Sequence, residues 1–162
     1  MSRNVNSWVA GLFYQDECVH HPEMCKFQFG VNGLQVLHDP RSAGGGEHWI
    51  VVHWSENQAR IYDSLIMKKL RLDPSVAGHL RHLLPHAVGT NVEIWYSKVQ
   101  QQKNTYDCGI CALAFAAEIV AGKDATMSRF NTNRMRAFLI EAFEQSEISS
   151  FPTTGGRAGV HD

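Results

Sequence analysis

Cys108 stands at a seam. Residues 100–115 read QQQKNTYDCGICALAF, a polar stretch that turns apolar straight after the cysteine. If a helix starts at Cys108, the sulfur lies beside main-chain N–H groups at the positive end of the helix dipole. Both favour thiolate over thiol and lower the pKa from about 8.5 toward neutrality. Such a thiolate attacks acyl groups when a base, a group that orients the base, and donors for the oxyanion are near it. The same letters allow other readings. Cys-Gly-Ile-Cys fits a redox pair at a helix start, although that motif belongs in a βαβ setting and here a polar loop precedes it. A packing cysteine at a buried helix start is the plain alternative.

The remaining pieces are present in the chain. His48 opens an apolar run, HWIVVHW (48–54), and Asp63 closes ARIYD (59–63). A turn at SENQ (55–58) makes 48–63 a β-hairpin and sets residues 48 and 63 side by side at its open end, about 5 Å apart as cross-strand neighbours are. The carboxylate can then hold one ring nitrogen and leave the other to face a sulfur. Gln102, six residues before Cys108, offers an amide donor for the oxyanion, with Gln101 as its rival, and the Cys108 N–H offers a second. Each residue also has an ordinary reading: His48 as a strand-end histidine, Asp63 as a solvated turn residue, Trp49 as core. His53 is read as structural.

Those residues need elements to position them. LQVLH (34–38) reads as a strand, and DPRSAGGGE (39–47) as a loop on its turn chemistry. HWIVVHW is β-branched and aromatic, as a strand buried on both faces should be. SVAGHLRHLLPH (75–86) carries Val76, Leu80, Leu83 and Leu84 at helical spacing and should stop near Pro85. NVEIWYSKV (91–99) alternates as a strand. From Cys108 to about Val120 the chain reads as a buried helix with Gly122 at its stop. A last helix, capped by Asn131 or Thr132, presents Met135, Phe138, Leu139, Ala142 and Phe143. The expected fold is α+β, a small, mainly antiparallel sheet packed by helices, in one domain over 1–162. Residues 1–33 have no firm assignment, and 149–162 read as a flexible tail.

Composition narrows the function. The 162 residues, 44% hydrophobic, suit one compact domain. Fifteen basic and sixteen acidic side chains, for a net charge of −1, give no field for nucleic acid or anionic lipid. No apolar run nears the roughly 20 residues that span a bilayer. Cys18, Cys25, Cys108 and Cys111 are too few for a disulfide scaffold, and no signal peptide is evident, so a reducing intracellular compartment, cytoplasmic or nuclear, is expected. CVHHPEMC (18–25) suggests zinc, but adjacent histidines with no second ligand pair make a closed tetrahedral site awkward and a polar loop is preferred. No metal and no cofactor is expected. TTGGR (153–157) reads as tail in preference to a self-processing site.

EHWIVVHW, ARIYDSL and QQKNTYDCGICALAF, in that order, resemble the Ulp1-type and adenovirus-type (clan CE) cysteine proteases over residues 34–121. The resemblance implies a papain-like, adenain-like fold with the nucleophile at the N-terminus of a central helix. It makes His48 the base, Asp63 its orienter, Cys108 the nucleophile and Gln102 the oxyanion donor. Trp49 would cover a narrow channel for a Gly-Gly tail. The function implied is a thiol protease or isopeptidase that cleaves after the C-terminal Gly-Gly of a ubiquitin-like modifier (SUMO, ubiquitin or NEDD8), with that modifier or its conjugates as partner. The alternative is a viral or mobile-element polyprotein endopeptidase; an acyltransferase of the same clan and an idle modifier-binding module rank lower.

Overall fold

The computed structural model describes residues 32–41, 46–56, 58–66, 72–84, 92–146 and 148–154. The order is β1 (Gly33–Arg41), β2 (Gly46–Ser55), β3 (Gln58–Tyr62), α1 (Pro74–Leu83), β4 (Glu93–Tyr96), α2 (Cys108–Val120) and α3 (Thr132–Gln145). The four strands form one sheet in sequence order. β1–β2 and β2–β3 pair antiparallel, and β3–β4 pair parallel. The parallel pair needs a crossover, and α1 supplies it. The mainly antiparallel α+β expectation therefore holds. Residues 1–31, with the Cys-His cluster at 18–25, lie outside the described residues, as do 42–45 and 155–157.

β2 is the centre of the sheet, and Ile50, Val51 and Val52 are all fully buried. Successive side chains point to opposite faces. Val51, with Val36 and Tyr62, joins the core beneath α2, while Ile50, Val52, Trp54, Ala59 and Ile61 join a second core with Val76, Leu80 and Leu83 of α1. A strand with helices on both faces cannot alternate polar and apolar, which is why β2 reads as an apolar run.

The caps follow local chemistry. Pro74 opens α1, and the Asp73 carboxylate accepts the Ser75 N–H at 3.1 Å. α2 ends at Gly122, whose φ of +76° suits glycine. There the Gly122 N–H reaches the Ile119 carbonyl at 3.0 Å and the Lys123 N–H reaches that of Glu118 at 2.9 Å, so a Schellman motif stops the helix.

Four expectations need correcting. β1 and β2 run into the expected glycine-rich loop, reaching Arg41 and Gly46, because main-chain pairing continues through Asp39↔His48 to Arg41↔Gly46. β4 covers only 93–96, the length over which it can pair with β3. On α3, Met135 and Ala142 are buried, but Phe143 is 62% exposed and Ile140 60%, so the helix seats on a narrower stripe than its sequence suggests. The start of the expected tail is docked: Phe151 is 2% exposed, the Asn131 N–H donates to the Pro152 carbonyl at 2.8 Å, and Thr153 bridges to Phe130. Phe151 ends an aromatic row, Tyr62–Phe115–Phe130–Phe151, with adjacent ring centroids 5.9–6.5 Å apart, that ties sheet, central helix and C-terminal segment together.

Candidate active site

Two buried polar residues stand at the end of the β2–β3 hairpin. His48 and Asp63 are each 3% exposed, and His48 Nε2 donates to Asp63 Oδ1 at 2.8 Å. The carboxylate can only accept, so Nε2 carries the proton and Nδ1 is the nitrogen left for chemistry. The pairing differs in detail from the expected one. The last β2–β3 pair is Val51↔Tyr62, so residue 50 is the one opposite residue 63, and the imidazole two positions along reaches Asp63 diagonally. The Leu65 N–H, at 2.7 Å from the same Oδ1, fixes the carboxylate from the turn that follows. His53, opposite Arg60 in the sheet, plays no part here; burial, and secondarily Arg60, hold its pKa below the ordinary 6.5.

The three glutamines at 100–102 each hold a different neighbour. Gln100 brackets Phe130, accepting its N–H at 2.6 Å and donating to its carbonyl at 3.1 Å. Gln101 donates to the Asp63 and Val99 carbonyls at 3.0 and 3.3 Å and accepts the Ile66 N–H at 2.9 Å. Its amide serves the main chain of the 63–66 turn at both ends. Gln102 is 9% exposed; its Oε1 accepts from Ser64 Oγ at 2.6 Å, and its Nε2 donates to the Asn104 carbonyl at 2.6 Å. An NH₂ group has two hydrogens, so one remains for an acyl oxygen. Of the two candidates, Gln102 has the donor to offer.

Cys108 is the first residue of α2 and is 5% exposed. It lines a groove of about 580 Å³ with Trp49, Thr105, Tyr106, Gly109, Ile110, Arg136, Leu139 and Ile140. Trp49 lies across this first helical turn: a Cβ placed on Gly109 would sit 3.5 Å from Trp49 Cδ1. His48 is thus followed by a residue packed on the residue that follows Cys108. The loop before the cysteine is braced as well. Asn104 Oδ1 accepts the Tyr106 and Asp107 N–H groups at 3.1 and 3.0 Å, and Asn104 Nδ2 donates to Asp107 Oδ2 at 2.6 Å. Arg136 of α3 closes on Asp107 Oδ1 at 2.5 Å.

Cys111, one turn on, lies in the core beneath the sheet. Burial is the main cause that pushes its thiol up from an ordinary 9.0 to about 11, against a hydrogen bond with Ser64 that lowers it. Neither Cys108 nor Cys111 is in a disulfide. Among the described residues, no group of three or more His, Cys, Asp or Glu side chains could hold a metal.

The sequence model of the Ulp1 protease family, C-terminal catalytic domain, matches residues 43–151. The chain belongs to the Ulp1 protease family. Solved Ulp1 structures agree in fold. The SUMO protease Ulp1 with its catalytic cysteine oxidized to a sulfenic acid aligns with a TM-score of 0.56 at 16% identity, covering 86% of this chain and 66% of that one. The C-terminal Ulp1 protease domain in complex with Smt3, the yeast ortholog of SUMO, aligns with a TM-score of 0.53 at 16% identity, covering 85% and 64%. This chain therefore spans just under two thirds of the length of those Ulp1 chains. No curated protein matches it. The Ulp1-type resemblance read from the sequence and the expected fold both hold. What the sequence reading missed at the site is its bracing: Ser64, Asn104, Asp107 and Arg136. Only Asn104, three residues before Asp107, carried a signal, since Asn favours such turns; Arg136 joins from a helix that no local pattern ties to the loop.

Proposed function

We propose that this chain is the catalytic domain, over 1–162, of an intracellular thiol protease, cytoplasmic or nuclear, that hydrolyses the bond after the C-terminal Gly-Gly of a ubiquitin-like modifier. The observation that carries the reading is the buried 2.8 Å bond from His48 Nε2 to Asp63, on a strand whose next residue, Trp49, packs over the first turn of the Cys108 helix. Asp63 fixes the tautomer, so Nδ1 takes the thiol proton. The Cys108 sulfur attacks the carbonyl of the terminal glycine. The oxyanion meets the second amide hydrogen of Gln102 and the N–H of Cys108 in the first helical turn. His48 returns its proton to the leaving amine, and water then hydrolyses the thioester with His48 as base. Trp49 over the groove favours glycine, because a side chain at that point of the substrate would meet its ring.

Propargyl or vinyl-sulfone derivatives of SUMO, ubiquitin and NEDD8 test this reading. An adduct at Cys108 with one of the three, absent in Cys108→Ala, is the expected result. No adduct with any of them contradicts the modifier reading and leaves polyprotein processing by the same four residues.

A further inference from the structure

We propose that Ser64 is a positioning residue for the oxyanion donor, its buried hydroxyl holding the Gln102 amide so that an N–H stays toward the acyl oxygen. The role rests on the reading of Cys108 and Gln102 given above.

Ser64 is 1% exposed and grips Gln102 twice. Its hydroxyl donates to Gln102 Oε1 at 2.6 Å, and its carbonyl accepts the Gln102 N–H at 2.8 Å. It also follows Asp63 directly, so two consecutive residues fix both the base, through His48, and the oxyanion donor. The hydrogen-bond directions allow one arrangement. The Asn104 carbonyl can only accept, so the nitrogen of the Gln102 amide must face it and the oxygen must face Ser64. The single hydroxyl hydrogen of Ser64 then belongs to Gln102. The result is a directed chain, Ser64 O–H to Gln102 and Gln102 N–H to the Asn104 carbonyl. Without the hydroxyl, Gln102 Oε1 loses that donor and only the Asn104 carbonyl still holds the amide, so its second N–H is no longer fixed toward the developing negative charge.

The test uses SUMO whose C-terminal Gly-Gly carries aminomethylcoumarin. Ser64→Ala should lower kcat about tenfold with KM within about twofold. Alkylation of Cys108 by iodoacetamide should be unchanged, because that displacement at carbon forms no oxyanion. In a Gln102→Ala background the same substitution should cost nothing further, since the group it positions is gone. An unchanged kcat, an equal loss in both backgrounds, or a parallel fall in alkylation overturns the role. If Ser64→Ala fails to fold by thermal unfolding, Ser64→Cys, whose S–H is a weaker donor than the hydroxyl, should lower kcat about threefold; wild-type turnover in that variant overturns the role. Wild-type turnover that survives Cys108→Ala would instead sink the protease reading beneath it.

Discussion

Cys108 and Cys111 sit three residues apart on one helix and are equally exposed, at 5% each. Their surroundings differ in kind. Cys108 opens on a groove with Trp49, at the first residue of the helix. Cys111 points into the core under the sheet, against the Ser64 hydroxyl, with its thiol pushed up to about 11. Low exposure therefore does not separate the proposed nucleophile from a packing thiol. The difference comes from what lies beside each sulfur: main-chain donors and an open groove on one side of α2, apolar packing on the other.

The widest split between the two should be in turnover. Cys108→Ala should abolish hydrolysis, by about 10⁴-fold or more, while Cys111→Ala should stay within a few-fold of wild type in the same fluorogenic assay. Comparable losses from the two substitutions would erase the contrast.

Next in size is the partner on the groove side. Asp63→Asn keeps the shape but can donate a hydrogen to Nε2, which favours the wrong tautomer of His48. A drop of about 10³–10⁴-fold in kcat is expected, with an unfolding midpoint near that of wild type. A variant within tenfold of wild type would mean that the His48–Asp63 bond is structural only. Gln102→Ala should follow at about 10²–10³-fold, and Gln101→Ala, whose amide only holds main chain, should lose far less.

The smallest effect belongs to the core side and appears in stability against pH. The folded thiol of Cys111 releases its proton near 11, above the ordinary 9.0. Between those values the unfolded chain binds fewer protons than the folded one, so stability should fall as pH rises from about 9 to 11. Urea unfolding at pH 8 and pH 10 checks this, and Cys111→Ala should remove that part of the slope.

Much of this was legible in the sequence. The hairpin, the central helix and its glycine stop follow from periodicity and turn chemistry, because Ile50, Val51 and Val52 belong to two cores at once and Gly122 alone there takes a positive φ. His48, Asp63, Gln102 and Cys108 could be nominated from the sequence because their order resembles a known pattern, and the fold brings His48 and Asp63 within 2.8 Å. The exposed faces of Phe143 and Ile140 were not legible, since periodicity reports that a helix has an apolar stripe and not how much of it finds a partner. Nor was the docking of Phe151, which depends on Phe130 and Phe138 arriving from other elements. The roles of Gln100, Gln101 and Ser64 are set by distant main-chain groups, and a single chain read in order does not show which carbonyl will face which amide.

The central claim is that the imidazole of His48 and the sulfur of Cys108 meet as a reactive pair at one end of the groove. The rate of Cys108 alkylation by iodoacetamide at pH 6, measured by mass spectrometry in wild type and in His48→Ala, tests it without any substrate. The pair predicts that loss of the imidazole slows alkylation by about tenfold or more; identical rates in the two chains would contradict it.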